Sequence, residues 1–152
     1  ALYKITTSLD EFGDESGQVD CQKSRGFRLP SHQEWLSAAR ADRGSAYQRC
    51  SEPELNAQAW WKSNSGGRHH PVASRESNIW GFYDLNGNVS EWCGDLQCPV
   101  DGSEPSEDRR LICGGSFRDD INHQGLSLSS YESPAALGTD LGFRVVFDES
   151  SC

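Results

Sequence analysis

No apolar run in this 152-residue chain approaches the roughly 20 residues that a membrane-crossing helix needs, which excludes membrane insertion of the domain. Methionine is absent. Basic residues are scarce, 14 against 23 acidic ones, for a net charge of −9. A surface of that sign repels phosphate backbones and anionic lipid, so nucleic acid is excluded as a partner. No cysteine pair has the C-x-x-C spacing of zinc ribbons or redox sites. The glycines at Gly13 to Gly17 and Gly66-Gly67 lack the strand–turn–helix setting of a phosphate loop. The first residues, Ala1-Leu2-Tyr3-Lys4, carry no leader pattern and read as the start of a domain cut from a longer chain.

What is present points to one domain over residues 1–152 with a single core. Five Trp, six Phe and four Tyr would supply the bulk of that core, since each ring buries a large area. Fifteen glycines suit a turn-rich fold of short strands better than a helical bundle. The six cysteines, Cys21, Cys50, Cys93, Cys98, Cys113 and Cys152, form an even set. They read as up to three disulfides with no pairing chosen, which places the chain outside the cell, on a cell or virion surface, or in a periplasm.

Along the chain, residues 1 to 25 are polar and acidic and read as an opening strand or loop. Ser31 stands three residues before Glu34, the spacing of a capping box, and Trp35, Leu36, Ala38 and Ala39 follow as an apolar stripe. These residues predict a helix over about 32–42 that stops at Gly44. Residues 45–80 read as loop with short extended pieces. Phe82-Tyr83 and Val89 to Cys93 read as strands, residues 99–108 as an acidic exposed loop, Arg110 to Cys113 as a strand and Gly142 to Phe147 as a closing strand. The segment Asp84-Leu85-Asn86-Gly87-Asn88-Val89-Ser90-Glu91 has two readings. It is an oxygen-rich calcium loop with a structural role, or a two-residue Asn-Gly hairpin that pairs Asp84 with Val89.

Four islands in order resemble the formylglycine-generating-enzyme, or sulfatase-modifying-factor, family. They are Gly26-Phe27-Arg28-Leu29-Pro30-Ser31 running to Glu34-Trp35, Asn64-Ser65-Gly66-Gly67 with His70-Pro71-Val72, Gly81 through Trp92, and Gly114-Gly115-Ser116-Phe117 with Gly142-Phe143-Arg144. The resemblance implies an α+β, C-type lectin-like fold with short twisted strands, one or two helices and much irregular structure. It places calcium on the Asp84 and Glu91 side chains and the Gly87 and Val89 carbonyls, and it makes His70-Pro71-Val72 a packing motif. It also places the working surface between the Gly-Gly-Ser and Gly-Phe-Arg motifs, from Phe117 to Leu141.

That segment departs from the family's enzymes, which carry two copper-binding cysteines there. Here it contains no cysteine. A thiolate is the nucleophile and soft-metal ligand that no amide or carboxylate replaces, so no copper and none of that oxidase chemistry are expected. The segment instead offers Arg118, Asp119, Asp120, Asn122, His123, Gln124, Tyr131 and Glu132 among small residues, the make-up of an adaptable recognition surface around an aromatic anchor. The reading is a non-enzymatic ligand-binding domain, an adhesin or host-recognition protein that meets a protein or glycan on a cell surface. It resembles the variable proteins of diversity-generating retroelements. Two alternatives stand beside it: a metal-dependent enzyme using His123 with Asp119 or Asp120, and a structural module capping a larger fibre or an anchored lipoprotein.

Overall fold

A computed structural model describes residues 26–43, 51–97, 106–120 and 129–148. Strand β1 (Gly26–Arg28) leads into helix α1 (His32–Arg40), followed by a 3-10 turn at Ala41–Arg43 and helix α2 (Glu52–Gln58). Strands β2 (Ser90–Gln97), β3 (Ser106–Cys113), β4 (Ser130–Glu132), β5 (Leu141–Phe143) and β6 (Val146–Asp148) complete the order. Four strands form one sheet in the order β4-β3-β2-β5, with β2 and β3 antiparallel and β5 parallel to β2. Strands β1 and β6 pair separately as an antiparallel ribbon. The result is the α+β architecture of short strands, two helices and long irregular stretches that the sequence implied. No helix among the described residues is long and apolar enough to cross a membrane.

Helix α1 forms where its cap predicts. The Ser31 hydroxyl accepts from the Glu34 N–H, and the Glu34 carboxylate accepts from the Ser31 N–H at 2.8 Å. The helix ends at Arg40, earlier than the expected stop, because Ala41 takes a positive φ of 49°. It docks on β2 through polar contacts at its N-terminus. Asp95 accepts from the His32 N–H at 2.6 Å, and the Gly94 N–H donates to the Pro30 carbonyl. Its buried face, Trp35, Leu36, Ala38 and Ala39, packs with Leu85, Cys93, Leu111 and Cys113 into the main core.

Four sequence expectations change. Helix α2 lies in a stretch read as loop, and its own box, Glu54 accepting from the Ser51 N–H and hydroxyl, has the same three-residue spacing as that of α1. Phe82-Tyr83 is not a strand, and no hairpin forms on Asn86-Gly87. Instead the chain winds through positive-φ positions at Asp84, Gly87 and Asn88. Strand β3 begins at Ser106, inside the stretch read as loop, whereas residues 98–105 lie outside the described set. The closing strand is two strands in two sheets, broken at Arg144-Val145.

Gly87 shows why the wound loop needs a glycine. It bridges to Trp60, and a Cβ there would stand 2.3 Å from the Trp60 carbonyl oxygen, on a backbone with φ of 73°. Trp60 itself is sandwiched between the His70 ring at 3.7 Å and the Arg75 guanidinium at 3.8 Å. His70 and Asn88 exchange backbone-to-side-chain hydrogen bonds, so His70 works in packing, as the resemblance implied.

Both oxygens of Glu34 receive the Arg28 guanidinium at 2.7 Å, which holds the Glu34 carboxyl down at about 2, with the Ser31 N–H assisting against burial. A depressed carboxyl stabilises the fold above its ordinary value and loses that contribution as pH falls through the folded one. Acid titration of the wild type should therefore show a loss of roughly 1–2 kcal/mol between about pH 4.5 and pH 2, after allowance for solvent screening at half-exposed Arg28. Glu34→Gln should flatten that slope in denaturation measured across the same window.

Candidate functional site

The four-stranded sheet has two faces with different company. Side chains alternate along a strand, so Glu91 and Cys93 of β2, Leu111 and Cys113 of β3 and Tyr131 of β4 turn toward α1 and the core. Their neighbours Ser90, Ile112, Ser130 and Glu132, joined by Leu141 of β5, form the floor of an open groove of about 420 Å³ on the other face. Register supports this: Ile112 pairs with Ser130, and Ser90 pairs with Leu141.

Two segments raise the walls. One follows β3, where Gly114 and Gly115 take positive φ values that turn the chain out of the sheet. A Cβ at Gly114 would meet the Trp35 ring and the Leu85 carbonyl at 3.1 Å, so that turn also needs glycine. Phe117 then drops into the interior, while Arg118 stays exposed above its ring at 5.1 Å. The second wall is Ala136 to Asp140, where Leu137 is 98% exposed. Arg118 ties the walls together through Asp140 at 3.0 Å and the Thr139 hydroxyl at 3.2 Å.

The residues expected to bind ligand divide accordingly. Arg118 and Glu132 line the groove. Asp119 also lines it, but one carboxylate oxygen is occupied by the Ser116 N–H at 2.7 Å and hydroxyl at 2.9 Å, so Asp119 largely fixes the turn. Asp120 is half-buried beside it. Asn122, His123 and Gln124 lie outside the described residues. Tyr131 is half-buried against the core, on the sheet face opposite Ser130 and Glu132, and is not the outward aromatic anchor that composition suggested. Within the expected 117–141 surface Ser130, Leu137, Asp140 and Leu141 were not singled out, and Ser90 lay outside it. For the strand residues a signal existed, because period-two alternation around Tyr131 selects Ser130 and Glu132.

Glu91, expected as a calcium ligand, sits at the centre of a buried network. Its exposure is 6%. Arg144 grips both its oxygens at 2.5 and 2.6 Å and also donates to the Tyr83 carbonyl, and the Trp35 indole N–H donates at 2.7 Å. Asp84 lines the same small cavity, with one oxygen accepting from the Ala73 N–H at 2.7 Å and the other buried without a hydrogen bond. Of the calcium set, Asp84 therefore has an open oxygen, whereas Glu91 would have to share its charge with a guanidinium already bound. A hard dication on this set would have to displace the guanidinium from Glu91.

Removing the guanidinium should leave a carboxylate buried and unpaired. Arg144→Ala is expected to lose about 3–5 kcal/mol in chemical denaturation, and a loss under about 1 kcal/mol would contradict the network. A chelator should leave the Tm unchanged. A drop of several degrees would mean that Glu91 leaves Arg144 for an ion.

Comparison with known proteins supplies the context. The family described as "Sulfatase-modifying factor enzyme 1-like domain" matches residues 9–149. Inactive C-alpha-formylglycine-generating enzyme 2 of Mus musculus is 31% identical over 136 residues, covering 79% of this chain and 42% of that protein. The formylglycine-generating enzyme of Streptomyces coelicolor is 31% identical over 150 residues, covering 81% and 47%. Among solved structures, Treponema denticola variable protein 1 superposes with a TM-score of 0.70 at 34% identity, covering 80% of this chain and 47% of that one. The chain thus spans about half the length of these relatives.

Proposed function

The chain belongs to the sulfatase-modifying-factor family, and from that premise we propose that it is a recognition domain rather than an oxidase, with the sheet-floored groove as its contact face. The observation that carries this reading is the make-up of residues 117–141. They contain no cysteine, and those described supply the groove with the Arg118 guanidinium, the carboxylates of Asp119, Glu132 and Asp140, the Ser130 hydroxyl and the exposed Leu137. Such a surface offers hydrogen bonds and apolar contact on a rigid sheet, and it lacks the soft ligands of the family's copper chemistry. Likeness to the variable protein and to the inactive relative supports the same reading. The partner is a protein or glycan displayed on a cell surface, met by a domain that works outside the cell or in a periplasm.

Glycan and surface-protein arrays probed with the chain test this directly. Wild type should give saturable binding to one class of spot. Arg118→Ala, at an exposed residue, and Glu132→Ala, at a half-buried one, should weaken it at least tenfold with Tm preserved. Binding unchanged in both variants would remove the groove from the reading. Oxidation of a cysteine-containing sulfatase peptide, with copper added, would replace it with the enzymatic one.

A further inference from the structure

We propose that Cys93 and Cys113 close into a disulfide that clamps β2 to β3 on the sheet face opposite the groove. The two sulfurs touch at 3.7 Å, both residues are free thiols here, and both are interior, at 0% and 2% exposure. Cys113 pairs with Glu91, and Cys93 follows two residues later in the stretch after Trp92 where the register shifts, which leaves both cysteines in the same core cluster with their sulfurs in contact. A disulfide holds its sulfurs roughly 2 Å apart, so side-chain rotation of well under one residue's length separates contact from bond. Cys113 also sits immediately before Gly114, where the chain leaves the sheet to form the first groove wall. This inference stands independently of the recognition reading.

The chemistry is thiol–disulfide exchange. One cysteine thiolate attacks a donor disulfide such as oxidised glutathione, forming a mixed disulfide and releasing one donor thiol. The second cysteine attacks the protein sulfur of that mixed disulfide, forms the Cys93–Cys113 bond and releases the second donor thiol. Two protein thiols lose two electrons and two protons, and one donor disulfide becomes two thiols. The Cys93 sulfur and then burial push the Cys113 thiol up, so reactive thiolate is scarce once the domain is folded. The bond is therefore made while the chain folds, and the finished core shields it from reductant.

The test uses the full chain, reduced, unfolded and then refolded in glutathione redox buffer. Unreduced peptide mapping with a protease that cleaves before aspartate separates all three nearby cysteines: Cys93 falls in fragment 84–94, Cys98 in 95–100 and Cys113 in 108–118. The expected product is fragment 84–94 joined to fragment 108–118. Alkylation of Cys93 or Cys113 as a free thiol after denaturation, or a link from either to another cysteine, would overturn the proposal. Oxidation started from the folded, reduced protein should run at least tenfold slower than during refolding. Equal rates would show that the pair is open to solvent and overturn its assignment as an interior clamp.

Discussion

A buried carboxylate held by a guanidinium and an indole is the constraint around which this molecule is arranged. Glu91 comes from β2, Trp35 from α1, and Arg144 from the two-residue break between β5 and β6. Each charge would be costly to bury alone, and together they are tolerable because the fork of Arg144 meets both oxygens and Trp35 satisfies a further lone pair. The network thereby fixes three separate stretches of chain at one point. Arg144 also explains why the closing segment divides. The residues before it pair with β2 in the large sheet, those after it pair with β1, and the side chain at the break points into the core.

The groove is a by-product of that arrangement. Once Glu91, Cys93, Leu111 and Cys113 are committed to the core, strand alternation obliges Ser90 and Ile112 to face the other way. The glycines after β3 turn the chain out of the plane, and Asp119 folds back on Ser116 to hold the turn. Arg118 then braces the two walls through Asp140. Core chemistry and surface chemistry are thus separated by single-residue alternation, with large apolar and paired ionic groups inside and a mixed floor of Ser90, Ser130, Glu132, Ile112 and Leu141 outside.

Local signals in the sequence were readable where local physics decides the outcome. The capping box at Ser31 and Glu34 marks α1 because cap and helix lie within a few residues of each other. The same device at Ser51 and Glu54 is equally visible, but only Leu55 is buried in its short helix, so no apolar stripe accompanied it. Tertiary choices were not readable. Nothing in Gly142 to Phe147 shows that two sheets share it, because the division depends on Glu91 far back in the chain. Tyr131 looked like a surface anchor by composition, and its direction is set by pairing with Leu111. In the motif Gly81 to Trp92, Glu91 was expected to meet a metal and carries an ion pair with Arg144, since the sequence does not say which partner reaches the carboxylate first.

The parallel pairing of β5 with β2 has a consequence for how freely this protein can change. After β3 the chain comes back once as β4 on the outer edge of β3 and again as β5 on the far side of β2, so the connections between them are pinned to one sheet at both edges. Chain-closure entropy rises only by about 0.6 kcal/mol for each doubling of loop length. Exposed positions on that stretch, such as Arg118 and Leu137, can therefore be rewritten at little thermodynamic penalty, whereas Phe117 and Tyr131 pack inside and Tyr131 pairs β4 with β3. A scaffold of this kind lets surface novelty accumulate without putting foldability at risk.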